Sequence, residues 1–391
     1  MNYPIIYRPS MVFIPSKTFI MKETDKLFFE LIRIAIGTQN SLSRLPSMKE
    51  WKVLYSMAGK QSLVGVCFAG LQRLVADEDE GFARIGMNEI LYLTWMGMAA
   101  KIQQKNLTVD EQCGALQKRL SADGLRSCIL KGQGVSLLYA EHLHGLRQPG
   151  DIDVWVLPNE DESTNDHIAR VVNYAKGFNP ESHFSGKHIE LSAFDDTEIE
   201  LHVTPGKMNN PWHNRRLQRW FAGSIATFVN KNGLIVPDSA FNVVYLLLHC
   251  YDHLLFEGVG LRQVMDYYWT LYSSPIKGED LKKTLSSLGL KRFASAMMWV
   301  QKEVFGIAEQ YMICEPNEKE GRFLLSEIMT GGNFGKYGKD GVMESHAKGK
   351  VAFFMARIKR NWRLLVHYPS EIIWSPYTML KHFVSQQTVS N

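Results

Sequence analysis

The chain has 391 residues, more than one ordinary core holds, and 45% of them are apolar against 21% charged, so two or three packed units are expected and disorder is confined to the ends. Its net charge of +4 is too small to argue for nucleic acid as a partner. Cys67, Cys113, Cys128, Cys250 and Cys314 are scattered, without a Cys-x-x-Cys pair or metal-like spacing, which predicts reduced thiols in a reducing compartment. The segment Met1 to Lys17 carries prolines and polar residues where a secretory leader needs an unbroken apolar run. The apolar stretches Ile90 to Ala100 and Phe241 to Phe256 are interrupted or too short to cross a bilayer, so a soluble cytoplasmic protein is expected.

Residues 24 to 122 are predicted helical. Phe28, Leu31, Ile32 and Ala35 recur at helical spacing, as do Leu54, Met57 and Ala58. Met87 to Leu120 reads as one long helix or two joined ones, broken at Asp123-Gly124. Ser127 to Lys131 then reads as a short strand, Gly132-Gln133-Gly134 as a turn, and Val135 to Glu141 as a helix. Asp151 to Val156 alternates and predicts a strand, followed by a helix over Asp166 to Lys176. His188 to Ser192 and Glu198 to Val203 alternate again around Phe194-Asp195-Asp196-Thr197, which predicts a hairpin. Beyond Pro205 the chain reads as mainly helical. Asp238 caps a helix over Ser239 to Phe256, and further helices follow over Arg262 to Tyr272, Leu281 to Leu288, Arg292 to Phe305 and Gly321 to Met329. Gly331 to Gly341 reads as a mobile loop and Lys350 to Val366 as a basic amphipathic helix. The expected architecture is α+β: a small mixed-sheet core over 123–210 between helical regions at 1–122 and 211–391.

The alternation places Asp151 and Asp153 on one strand face, with Ile152, Val154 and Val156 on the face that must be buried. Two carboxylates so close repel unless a cation lies between them, and a divalent metal takes both as hard oxygen ligands. Glu198, Glu200 and His202 share a polar face, so either glutamate supplies a third carboxylate if the hairpin lies beside the aspartate strand. Three carboxylates around two Mg²⁺ ions, with Mn²⁺ as a substitute, suit in-line phosphoryl transfer. Backbone N–H groups at Gly132 and Gly134 and the charge of Lys131 would then meet a triphosphate.

In this order the residues resemble the nucleotidyltransferase superfamily of DNA polymerase β type. The closer likeness is to an uncharacterised bacterial nucleotidyltransferase family with a Leu-Lys-Gly turn, an Arg before Gly-Asp-Ile-Asp, and a later Ile-Glu-Leu-His. Here these stand as Leu130-Lys131-Gly132, Arg147, Gly150-Asp151-Ile152-Asp153 and Ile199-Glu200-Leu201-His202. The matching stretch spans roughly residues 125 to 205. The resemblance implies transfer of a nucleoside monophosphate from an NTP such as ATP to an acceptor hydroxyl on a small molecule, a protein or an RNA. Asp151, Asp153 and Glu200 would be the metal ligands, with Glu200 also a candidate base, and Lys131 and Gly132 would contact phosphate. Many members of the superfamily carry Ser after the glycine, whereas Gln133 stands here and Ser136 lies one helical turn further on. The alternatives are a nucleotide-binding or scaffold protein on the same fold without catalysis, and a nucleic-acid binder led by the basic helix.

Arg147 reads as either a phosphate or ribose ligand or a loop arginine paired to a surface acid. His202 and Glu198 are expected around the carboxylates. His249, Asp252 and His253 have the helical spacing of a zinc pair but lack an evident third ligand, so this helix is expected to flank the cleft. Lys348, Lys350, Arg357, Lys359, Arg360 and Arg363, interleaved with Phe353, Phe354 and Trp362, would suit an anionic surface or nucleic acid. A solvated helical face is the favoured reading. Arg215, Arg216 and Arg219 are expected at the rim of the cleft.

Overall fold

The structure, a computed structural model, describes residues 20–75, 85–273, 276, 278–338 and 350–378, with the backbone alone described at 226 and 350–354. The predictions for Met1 to Lys17, for 339–341, for Lys348 and for the side chains of Lys350, Phe353 and Phe354 lie outside the described residues.

Four helices open the chain: α1 (Glu23–Ile36), α2 (Met48–Lys60), α3 (Val64–Val75) and α4 (Glu89–Ala122). Ser47 and Glu50 form a reciprocal cap that starts α2. The Asn88 side chain accepts from the Leu91 amide to start α4, which runs unbroken until Gly124 turns the chain at φ +77°. The first half of α4 buries Trp95, Ala99 and Ile102 in the helical core. Its second half buries Val109, Cys113, Leu116 and Leu120 against the sheet.

That sheet contains β1 (Ser127–Ile129), β2 (Ile152–Val156), β3 (His188–Glu190) and β4 (Ile199–His202) in the order β1-β2-β4-β3. β2 and β4 run parallel, joined through α6 (Thr164–Lys176), while β1 and β3 pair antiparallel at the edges. One face of β2 and β4 carries Ile152, Val154, Val156, Ile199 and Leu201, which pack with Val171 and Ala175 of α6. The opposite face carries Asp153, Trp155, Glu200 and His202. It is covered too, since every residue of β2 is buried.

The cover comes from the C-terminal half, from α7 (Pro211–Ser224), α8 (Ser239–Phe256) and α9 (Leu261–Ser273), whereas the intervening hairpin of β5 (Val229–Lys231) and β6 (Leu234–Val236) packs Leu234 and Val236 with the apolar face. Trp155 stacks on Phe241 and meets Phe221 and Phe228 edge-on, with centroids 5.5–5.9 Å away. α10 (Glu279–Ser287), α11 (Lys291–Val300), α12 (Glu318–Gly331), α13 (Lys350–Leu365) and the short α14 (Pro369–Ile372) complete the bundle. α11 continues as a π-helical turn over Gln301–Phe305. Arg33 and Thr38 of the N-terminal region bond to the carbonyls of Val304 and Phe305, so both helical regions contribute to one apolar core.

Three expectations change. The predicted helix over Val135 to Glu141 is only a four-residue turn, α5 (Gln133–Ser136), followed by a 3₁₀ turn at Glu141–Leu143. Bonds from Leu138 to Val135 and from Tyr139 to Ser136 tighten the chain, and Tyr139 turns inward to reach Asp266. The hairpin at 229–236 interrupts a region read as helical, turning through Asn232 and Gly233, both at positive φ. On the basic helix, Arg360 is buried and donates to the carbonyls of Leu254 and Glu257, so part of its charge faces inward. No helix among the described residues is long and apolar enough to cross a membrane.

Trp155→Ala should lower unfolding stability by about 3 to 5 kcal/mol, the usual cost of truncating a large buried aromatic. Denaturant unfolding measures it, and a loss below about 1 kcal/mol would show that the sheet does not depend on this aromatic contact.

Candidate functional site

Asp151 sits just before β2 and Asp153 lies on it. The parallel register places Glu200 of β4 directly beside Asp153, whereas Glu198 lies one residue before β4 and is exposed. The carboxylate oxygens of Asp151, Asp153 and Glu200 fall within 4.8 Å of one another. Asp153 is only 2% exposed. Its Oδ1 lies 3.0 Å from Lys131 Nζ and 2.8 Å from His202 Nε2, and the same Lys131 nitrogen is 3.9 Å from Asp151 Oδ2. His202 Nε2 also lies 3.0 Å from Glu200 Oε2.

These contacts set the protonation of the cluster. Burial opposes the charge on Asp153, but the Lys131 ammonium and the His202 hydrogen bond outweigh it and hold this carboxyl well below the usual range. Glu200 is likewise held below its ordinary value: burial opposes, and the hydrogen bond from His202 is the largest compensating contact. Asp151 moves the other way, raised first by the charge of Asp153 and then by burial. Burial lowers His202, but its bonds to Asp153 and Glu200 raise it overall. His188, opposite His202 across the β3–β4 pair, is pushed down to about 4, chiefly by burial.

The turn before the cluster is built around glycine. Gly132 adopts φ +60° and ψ −117°, a conformation that a side chain would strain. A Cβ on Gly134 would come within 3.0 Å of the Ile129 carbonyl, and its amide donates to Lys131 O. The Ser136 hydroxyl donates to the Gln133 carbonyl. Gly132 therefore faces the site while Gly134 and Ser136 serve the turn. Gln133 donates to Asp110 and Asn106 and ties the turn to α4.

Lys131, Gly132, Asp151 and Asp153 line a small solvent-open cavity. Arg147, His249, Arg262 and Phe334 line it as well. Arg147 is buried in a two-bond pair with Asp266, at 2.7 and 2.8 Å, so its acid is an internal one. Arg262 is also buried. Its Nη1 donates to the Gln148 carbonyl, its Nε has no hydrogen-bond partner, and its guanidinium lies 5.3 Å from the Phe334 ring centroid. Burial, followed by repulsion from Arg147, pushes Arg262 down to about 10, so it remains charged at neutral pH. His249 bonds to His253, whose Nδ1 lies 3.3 Å from Glu257. Arg262, Asp266 and Phe334 carry no local motif, and the sequence reading missed all three. Arg215, Arg216 and Arg219 are exposed on α7 and do not line this cavity. Arg216 donates to the Ser287 carbonyl.

Residues 47–306 match the pattern of an uncharacterised nucleotidyltransferase family. The chain belongs to that family. No curated protein and no solved structure matches it. The match reaches well beyond the stretch 125–205, so in this nucleotidyltransferase family member α2 to α4 and α7 to α11 belong to the shared pattern as much as the sheet does.

Asp266→Ala leaves the Arg147 charge buried without its acid and should cost about 3 to 5 kcal/mol of stability. The Arg147→Met/Asp266→Leu double variant should recover part of that loss in denaturant unfolding, and a loss equal to that of Asp266→Ala would show that charge compensation is not what the pair supplies. Because the folded-state pKa of Asp153 is depressed, its contribution is present above the unfolded carboxylate value of about 4 and fades as pH falls below it. The stability gap between wild type and Asp153→Asn should therefore begin to narrow as pH falls below about 5 and go on narrowing below about pH 3, and a gap that is flat with pH would refute this.

Proposed function

We propose that this protein is a metal-dependent nucleotidyltransferase that moves a nucleoside monophosphate from an NTP to an acceptor hydroxyl and releases pyrophosphate. The observation that carries the reading is the convergence of the Asp151, Asp153 and Glu200 oxygens beside a cavity that Asp151 and Asp153 line together with Lys131 and Arg262. The donor set fits Mg²⁺ or Mn²⁺, since all three groups offer hard oxygens and the raised pKa of Asp151 registers their mutual repulsion. When bound between Asp151, Asp153 and Glu200, two such ions would acidify the acceptor hydroxyl and offset charge on the departing pyrophosphate.

The chain's own residues have separable roles in this reading. Gly132 lets the donor phosphates approach the backbone without a side chain in the way. Lys131, at the junction of carboxylates and cavity, supplies positive charge to those phosphates. Arg262 reaches the same cavity from α9, and no carboxylate forms a salt bridge with it among the described residues, so its charge is available to the triphosphate. Arg147, bound to Asp266, braces the loop that leads into Asp151. Glu200 stays ionised at neutral pH, as a ligand or a proton acceptor must. The acceptor oxygen attacks the α-phosphorus, the bond from that phosphorus to the bridging oxygen breaks, and the hydroxyl proton passes to Glu200 or solvent.

Thermal unfolding of wild type and of the Asp151→Asn/Asp153→Asn variant, with each NTP and with or without Mg²⁺, tests the reading, because a ligand that binds only the native state raises its apparent stability. The expected result is Mg²⁺-dependent stabilisation of wild type by at least one NTP, with ATP tried first, and none in the variant. Labelled nucleotide transfer to small molecules, proteins and RNA then identifies the acceptor. A folded wild type that no NTP stabilises with Mg²⁺ would favour a scaffold without catalysis. Arg262→Met should weaken NTP binding about 10- to 100-fold, the worth of one charge-assisted contact, and weaken NMP binding less. Equal losses for NTP and NMP would remove Arg262 from the β- and γ-phosphates.

A further inference from the structure

A second group of ligand atoms adjoins the carboxylates and has a different chemistry. His188 and His202 are direct cross-strand partners in the β3–β4 pair, and Glu200 precedes His202 by two residues on the same strand face. His188 Nδ1 lies 3.1 Å and His202 Nε2 lies 3.0 Å from the same oxygen, Glu200 Oε2. The two rings stand 5.2 Å apart at 68°. His188 Nδ1 is buried without a hydrogen bond despite its nearness to that oxygen, and His202 Nδ1 is likewise unpartnered in a residue 1% exposed. Around a tetrahedral ion with bonds of about 2.0–2.1 Å, neighbouring ligand atoms lie about 3.3 Å apart, close to the spacing found here.

We propose that His188, Glu200 and His202 form a separate site for a borderline transition metal such as Zn²⁺. Two imidazole nitrogens and one carboxylate oxygen suit such an ion, whereas the all-oxygen group of Asp151, Asp153 and Glu200 suits Mg²⁺. All three ligands stand on or at the ends of paired strands, so little ordering is needed to bring them together. Ligation through His202 Nε2 leaves the remaining ring proton on Nδ1 and replaces the hydrogen bond to Asp153. Because Glu200 belongs to both groups, an ion held by the histidines draws this carboxylate away from the aspartates. Metal binding at the histidines stands on these contacts alone, and only its effect on the aspartates rests on the proposed reaction.

Co²⁺, which reports nitrogen ligation through its visible absorption, is the probe. It is titrated into the full chain without nucleotide and then displaced with Zn²⁺. Binding should weaken at least about 10-fold in both His188→Ala and His188→Gln and persist in Asp151→Asn. Circular dichroism shows which variants are folded, and the glutamine variant keeps the test open if alanine disrupts the hairpin. Binding lost in Asp151→Asn but kept in a folded His188→Gln would place the ion among the carboxylates and overturn the proposal. So would a folded wild type that binds no Co²⁺. Neither result bears on whether Mg²⁺ and an NTP stabilise the protein.

Discussion

The site depends on keeping one carboxylate charged inside the protein. An unpaired carboxylate as buried as Asp153 would cost several kcal/mol or take up a proton. Lys131 and His202 remove that cost, and both are delivered by strand pairing. The Leu130 amide donates to the Asp153 carbonyl as the last bond between β1 and β2, so Lys131 emerges beside the carboxylate. His202 stands opposite Trp155 in the β2–β4 ladder, two residues beyond the Asp153–Glu200 pair and so on the same face. A slip of β4 by one residue would send Glu200 and His202 to the apolar face and bring Leu201 to the site. The register that buries Ile199 and Leu201 is thus the one that assembles the charges.

Polar side chains on α4 hold the irregular parts of the site. Asn106 Nδ2 donates to the carbonyls of Gly145 and Arg147 and fixes the approach to Asp151. Asp110 accepts from Gln133 and fixes the glycine turn. Gln117 bonds to both the N–H and the C=O of Ile235, as a neighbouring strand would, and so anchors the β5–β6 hairpin. Loops cannot satisfy such groups from their own backbone, so a rigid helix does it for them. This explains why the family pattern begins in the helices before the sheet: without α4 the turn and the loop around the carboxylates lose their fixed partners.

Much of this was legible in the sequence because it is local. Alternation gave β2 and the β3–β4 hairpin, Asp238 marked the start of α8, and Asp-Ile-Asp with Ile-Glu-Leu-His marked the carboxylates. The β5–β6 hairpin also carries a local signal, Asn232-Gly233, inside a stretch that otherwise reads as mainly helical. Arg262 and Asp266 had none, because they meet the site only through tertiary packing. An indirect trace exists in the glycines that let α9 come close. A Cβ on Gly260 would lie 2.7 Å from Asn333 Cα, and one on Gly258 would lie 2.5 Å from Gly335 Cα. The glycine-rich stretch therefore crosses closely over the start of α9 and carries Phe334 to the cavity. On α13, helical period predicted a solvated basic face, and the inward turn of Arg360 follows from carbonyls at the end of α8 that no pattern in α13 reveals.

The charges across the cavity are divided between the two halves of the protein. The sheet supplies the carboxylates, and α9 with the loop before β2 supplies two arginines. Asp266 and Asp151 both stand near the two arginines, and Arg147 engages both oxygens of Asp266. Arg262 is left with a carbonyl, an aromatic face and an unpartnered Nε. Were Asp266 shared equally, its negative charge would offset part of the field of each arginine at a ligand. The bidentate pairing instead fixes one arginine as structure and leaves the other without a salt bridge among the described residues, beside Asp151 in the cavity. Gly150 completes the arrangement, because a Cβ there would lie 3.3 Å from Arg262 Nη1 and crowd the guanidinium beside the aspartates. The glycine before Asp151 thus has a steric reason that depends on a residue over 100 positions away, and the Gly-Asp-Ile-Asp run is shaped by α9 as well as by its own strand.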